Sequence, residues 1–224
     1  MATATVNALT RDNVVSLHVI ERPLDHYLAM VGGSVEGQPL LKCSDRRITL
    51  VSPGRSHEQA SFRLAQIIVE ICSVLKIPVE PFGSTLYPIP GTGRGYMPDE
   101  AFLIQGFEAG ALEGDDDPRP DLVIEIVVTH PEYDALAACA GLGVPEVWVL
   151  DVPRNRLAFL RLVTRGKEKG KYVPIDKSRM LPRLKPEAVL TLLDEPPRDM
   201  AAFSRRCRDF ARRVLIPRPR GAGS

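Results

Sequence analysis

Apolar residues recur along this chain with two periods. Leu64, Ile67, Ile68, Ile71, Cys72 and Leu75 repeat at helical spacing, which gathers them on one stripe of a helix. Ser56 followed by Gln59 is a capping-box pattern at its start, and Ile77-Pro78 ends it. Upstream, LLKCSDRRITLVSP alternates around a polar turn at 44–46 and predicts a β-hairpin, closed by Pro53 and Gly54. Downstream, residues 79–87 read as extended and PIPGTGRGYMP as a loop. PDEAFLI and PDLVIEIVV predict strands, joined by the polar, acidic connection GFEAGALEGDDDPRP. PEYDALAACAGLG predicts a short helix ending at Gly141 or Gly143. EVWVLDV and RLAFLRLVT predict two more strands around the turn PRN, with a further strand at KYVPID and a short helix from Glu187. The segment RDMAAFSRRCRDFARRVLI predicts an arginine-rich amphipathic helix with Met200, Phe203, Cys207, Phe210 and Val214 on one face.

The ends are less patterned. Residues 1–35 offer a short helix at ERPLDHYLAMV and a turn-rich break at VGGSVEGQP, and PRPRGAGS reads as a disordered end. No internal repeat is visible. The order of hairpin, long helix, strands, helix and further strands predicts an α/β fold with a mixed sheet.

The chain has 224 residues, 44% of them hydrophobic and 25% charged, which suits one globular domain with short extensions. We divide it into an N-terminal extension at 1–35, a central domain at 36–195, and an arginine-rich helix and tail at 196–224. The start MATATVNALTRDNVV lacks the basic and apolar blocks of a signal peptide. No apolar stretch approaches the roughly 20 residues of a membrane span. Cys43, Cys72, Cys139 and Cys207 are far apart and form no CxxC pair. That argues against a disulfide framework or zinc site, and for reduced thiols in a cytoplasmic protein.

The formal net charge is +1, so bulk charge names no partner. Its distribution is uneven. Thirteen acids and one base, Arg119, lie between Asp99 and Asp151, while eight arginines face three acids from Glu195 onward. The two regions could attract each other, or the tail could meet an anionic partner through counterion release.

Candidate chemistry lies in the acidic stretch. Asp99 follows Pro98 in YMPDEAFLI, and Asp121 and Glu125 punctuate RPDLVIEIVV. Carboxylates in otherwise apolar strands are costly unless compensated, and a divalent metal is one compensation. If the two strands are neighbours, Asp99 and Glu125 converge and suit Mg²⁺, which takes one or two carboxylates with water and phosphate. The alternative is that both end their strands and point to solvent. Glu58, in the first turn of the long helix, is also explained by the helix dipole alone. His57 beside it is ambiguous, and His130 could meet a phosphate or cap a helix. Asp115–Asp117 lack the order of an EF-hand loop, and GTGRG lacks a Walker lysine.

The sequence SHEQASFRLA, GYMPDEAFLI, PDLVIEIVVTH and GVPEVWVLD, in that order over roughly residues 38–165, resembles the Uma-type restriction endonucleases. These are a bacterial branch of the PD-(D/E)XK nuclease superfamily. The resemblance implies a restriction-endonuclease-like core of mixed β-sheet flanked by helices. It implies a hydrolase that cuts DNA phosphodiesters with Mg²⁺ or Mn²⁺, acting as a homodimer where both strands are cut. It casts Asp99 and Glu125 as metal-binding acids and Glu58 as the helix acid that completes the catalytic set. Asp121, four residues from Glu125 and so on the same side of the sheet, is a candidate supporting ligand.

One position departs from the pattern. The superfamily carries a lysine two residues after the second acid or in the following helix. Here these places hold Val127 and Ala135, and Cys139 stands where relatives carry tyrosine. No lysine occurs between Lys76 and Lys167. The positive group that orients water and steadies phosphorane charge is missing locally, unless Arg55, Arg94 or Arg119 substitutes. The leading expectation is a metal-dependent endonuclease. The alternative is a catalytically inactive nuclease fold acting as a nucleic-acid-binding or interaction module, and a third is an α/β protein of unrelated chemistry.

Overall fold

The computed structural model describes strands at 5–8, 15–21, 40–44 and 47–51 and, beyond them, residues 55–89, 91–92, 94–104, 119–128, 135–194, 196 and 198–217. The expected helix at ERPLDHYLAMV, apart from Glu21, and the Asp115–Asp117 cluster, His130 and the tail from 218 lie outside the described residues.

The N-terminal strands β1 (Thr5–Ala8), β2 (Val15–Glu21), β3 (Leu40–Ser44) and β4 (Arg47–Val51) pair antiparallel in the order β1-β2-β4-β3. β3 and β4 are the hairpin that the alternation predicts. The long helix, α1 (Arg55–Leu75), follows. It stops where Lys76 turns to a positive φ of 56° ahead of Pro78.

The central sheet is built from β5 (Val79–Pro81), β8 (Glu100–Ile104), β9 (Leu122–Val127), β10 (Glu146–Asp151), β11 (Arg156–Leu162) and β12 (Tyr172–Ile175). Among the described residues its order is β12-β11-β10-β9-β8-β5, so β5 and β12 are its outer strands. β9 and β10 run parallel and the other pairs antiparallel. A parallel pair needs a crossover, and α2 (Ala135–Leu142) lies in that connection. Gly143 ends the helix with a φ of 74°, a conformation that favours glycine.

PIPGTGRGYMP is not a plain loop. Tyr87–Ile89 (β6) and Arg94–Tyr96 (β7) pair across it, with Tyr87 opposite Tyr96. Both tyrosines are buried against the sheet, and that burial outweighs the turn-forming tendency of the glycines and prolines.

Both faces of the sheet are covered, which accounts for the nearly continuous apolar run of β9. Leu122, Ile124 and Ile126 face a core shared with Phe102, Trp148, Phe159 and the α1 stripe of Leu64, Ile67, Ile68 and Ile71. Val123 points the other way, to Ala101, Val147, Tyr87, Tyr96, Cys139 and Leu142. α3 (Pro186–Leu193), which starts on a proline at the first helical position, and α4 (Met200–Phe210) add Val189, Leu192, Phe203 and Cys207 to the α1 side.

The last helix departs from its sequence pattern. Phe203 and Cys207 are buried as the periodicity predicts, but Val214 is 45% exposed and Ala211 and Leu215 are buried instead. The segment Ala211–Leu215 winds as a π-turn. Its wider turn delays the apolar face by one residue, so the buried positions run 203, 207, 211 and 215. Cys72, Cys139 and Cys207 are buried, reduced thiols. Burial pushes Cys72 up to about 12 and Cys207 up to about 11, so both stay protonated at neutral pH.

Glu146, fully buried in β10, is compensated by protein donors. Trp148 Nε1 donates to it at 2.7 Å and the Arg179 backbone N–H at 2.8 Å. Trp148 also stacks on Phe159 with ring centroids 4.0 Å apart. Trp148→Phe keeps an aromatic ring but removes a donor from a buried carboxylate. We expect a loss of about 2 kcal/mol, measured as a lower urea midpoint by circular dichroism; an unchanged midpoint would mean that the indole bond is dispensable.

Candidate active site

Two Pro-Asp steps organise the centre of the sheet. β8 starts just after Pro98-Asp99 and β9 just after Pro120-Asp121. The strands are antiparallel, so each step lies beside the far end of the other strand. Asp99 Oδ2 accepts the Ile126 N–H at 2.7 Å, and Asp121 Oδ2 accepts the Ile104 N–H at 2.8 Å. Two carboxylates thus clamp the two ends of one strand pair. A carboxylate accepting a backbone N–H is a charge-assisted bond, stronger than its neutral counterpart.

The register places the sequence candidates. Glu100 pairs with Ile124, so one step further out Asp99 stands opposite Glu125. Both acids are buried, and neither points freely into solvent at a strand end. Tyr96, from β7, donates its hydroxyl to Glu125 Oε1. His57 Nε2 lies 3.3 Å from Asp99 Oδ2, and its Nδ1 lies 3.4 Å from Glu58 Oε1. The structure therefore brings together Asp99, Glu125, Tyr96 and His57. Glu58 is an outer member, its side chain 59% exposed and in contact with Asp99 through His57.

Asp121 is not part of this group. It shares a strand face with Glu125, as the alternation requires, but four residues along a strand is about 13 Å. Its carboxylate is fully buried at the opposite end of β9, where it holds Ile104.

Sequence reasoning missed Tyr96 and Glu100. Tyr96 sits in the GYMPD phrase, and only its burial beside Glu125 reveals its partner. Glu100 accepts a 2.6 Å bond from the Ser61 hydroxyl of α1. Its carboxyl is held above the ordinary glutamate range, first by burial and then by the neighbouring charges of Asp99 and Glu58, against the lowering effect of Ser61 and His57.

Val127, at the expected lysine position, pairs with Asp151 in β10 and is half-buried. Of the arginines that could replace the lysine, Arg119 lies beside Gly143, close to the Asp121 end of β9. Arg55 starts α1, two residues before His57. The side chain of Arg94 lies outside the described residues.

Among the described residues, no group of three or more His, Cys, Asp or Glu side chains forms a metal cage. Two carboxylates with oxygen donors nonetheless fit a hard cation that keeps most of its ligands as water and substrate oxygens.

The raised pKa of Glu100 has a sign that can be tested. Its folded form prefers the proton, so ionisation penalises folding once pH rises past the ordinary glutamate range, and the penalty disappears below it. In metal-free buffer, Glu100→Gln is expected to melt at a higher temperature than wild type at pH 7. The gap should close as the pH falls below 4.5, the ordinary value for this group. A gap that is constant with pH would rule out ionisation as its source.

Comparison with known proteins agrees with this architecture. A solved structure entitled a "putative nuclease belonging to DUF820" from Anabaena variabilis ATCC 29413 superposes with a TM-score of 0.50 at 16% identity. The match covers 75% of this chain and 97% of that one, and at that identity it speaks for the restriction-endonuclease-like fold alone. No curated protein matches the chain. Residues 24–194 match the Uma2 family, described as "Putative restriction endonuclease". The chain belongs to the Uma2 family.

Proposed function

We propose that the protein is a metal-dependent endonuclease that hydrolyses DNA phosphodiester bonds at the Asp99–Glu125 end of the β8–β9 pair. The observation that carries this reading is the placement of two buried carboxylates opposite each other at a strand end, beside an imidazole. In this reading Asp99 and Glu125 hold Mg²⁺, for which Mn²⁺ can substitute. When bound, the ion polarises the phosphate and makes water a better nucleophile.

The chain's own residues orient the acids. The Ile126 N–H fixes one oxygen of Asp99, and the Tyr96 hydroxyl fixes one oxygen of Glu125. Glu58 acts as a positioning residue. Its carboxylate beside Nδ1 sets the ring so that Nε2 faces Asp99. Val127 supplies no proton donor or acceptor, so the rate should lack the roughly 10²- to 10⁴-fold contribution of a well-placed acid–base group.

The same observations favour a second reading, a nuclease fold without catalysis that binds nucleic acid. Val127 replaces the lysine, and both acids already have protein donors.

Plasmid nicking separates the two. Wild type should convert supercoiled DNA to open circles in Mg²⁺ or Mn²⁺ and not in chelator. Asp99→Ala and Glu125→Gln should each lower the rate by about 100-fold or more, whereas Asp121→Asn should keep its rate per folded molecule. Metal-dependent nicking that survives both active-site substitutions would sink the proposed site. No nicking by wild type in either metal would favour the inactive fold.

A further inference from the structure

Five of the eight arginines from Glu195 onward lie in α4 and the π-turn after it, and the fold uses their charge internally. Arg206 donates to the carbonyls of Thr191 at 2.6 Å and Asp194 at 3.2 Å. Arg208 bonds Glu70 of α1 at 2.8 Å, Arg212 bonds Asp209 at 3.1 Å, and Arg213 donates to the Asp209 carbonyl. Arg205 lies 3.8 Å from Asp199.

Three other arginines behave differently. Arg55 and Arg63 of α1 and Arg198, two residues before α4, converge on one cleft of about 760 Å³, lined also by Ser56, Gln59 and Pro196. Among the described residues none of the three is within ion-pair distance of a carboxylate. Arg55, Gln59 and Arg63 are spaced four residues apart, so they form one row along the helix over about 12 Å. Ser56 and Gln59 add neutral hydrogen-bonding groups, and the N-terminal end of α1 adds its partial positive charge. Ser56 lines the cleft, and the next residue, His57, touches Asp99.

We propose that this cleft seats the sugar–phosphate backbone of nucleic acid. This rests on the nuclease reading for its biological sense but not for its test. A chain whose sheet is rich in acids repels a polyanion, and a cluster of guanidinium groups with no carboxylate partner among the described residues offsets that repulsion locally. The contacts go to backbone phosphates, so they position the strand without reading its sequence.

The test is binding of a fluorescein-labelled mixed-sequence DNA duplex, followed by anisotropy from 50 to 200 mM salt in chelator. The variant Arg55→Gln/Arg63→Gln/Arg198→Gln should bind about tenfold or more weakly at the upper salt, and the slope of log affinity against log salt should shrink by about 2 to 3. The control Arg205→Gln/Arg212→Gln/Arg213→Gln removes the same formal charge elsewhere and should bind like wild type. Thermal melts verify that both variants fold.

Equal losses in the two triple variants would reduce the effect to net charge and overturn the cleft. Unchanged affinity and slope in the cleft variant, or no duplex binding by wild type, would overturn it too. The nuclease reading fails separately. Loss of binding in the cleft variant with no nicking by wild type keeps the cleft and rejects hydrolysis. Wild-type nicking with full binding in the cleft variant does the reverse.

Discussion

Everything at the centre of this molecule depends on how buried carboxylates find donors. A sheet covered on both faces leaves little room for water to solvate an acid within it. Asp99, Asp121, Glu125 and Glu146 are nonetheless all buried there. Asp99 and Asp121 take backbone N–H groups just beyond the ends of the β8–β9 ladder, Glu125 takes a tyrosine hydroxyl, and Glu146 takes an indole and an amide. Asp99 and Asp121 thereby hold the register of the β8–β9 pair. The two Pro-Asp steps are one structural device used twice, in opposite directions. Among the described residues, only the copy at the Asp99 end has a second carboxylate and an imidazole beside it.

That repetition explains why Asp121 reads from sequence as a ligand candidate. Pro-Asp ahead of an apolar strand looks the same in both places, and alternation correctly puts Asp121 and Glu125 on one face. Alternation says nothing of how far along the strand a side chain acts. The antiparallel pairing of β8 and β9 decides that, because it brings Asp99 beside Glu125 and sends Asp121 to the other end.

The long helix and the strands were legible because their apolar positions follow a single period. The β6–β7 hairpin was not, because its pairing rests on two tyrosines that bury their rings against a distant sheet face. The end of the last helix was misread for a different reason. Helical periodicity puts Val214 inside, and the π-turn moves that role to Leu215. Glu58 was found at its helix start, but its contact with Asp99 runs through His57, whose two ring nitrogens make the link. The cleft arginines carry no motif. They become visible once the α4 arginines are seen to have partners within the fold.

The outer strands of the central sheet limit how copies of the protein can assemble. β5 ends in Pro81, and β12 contains Pro174. Proline brings no N–H to a ladder, and edge prolines discourage strand addition. A dimer built by running two central sheets into one continuous sheet is therefore disfavoured at either margin. Where two copies associate, surfaces other than these two edges are favoured for the joint, and the spacing between paired Asp99–Glu125 sites follows from that joint rather than from a shared sheet.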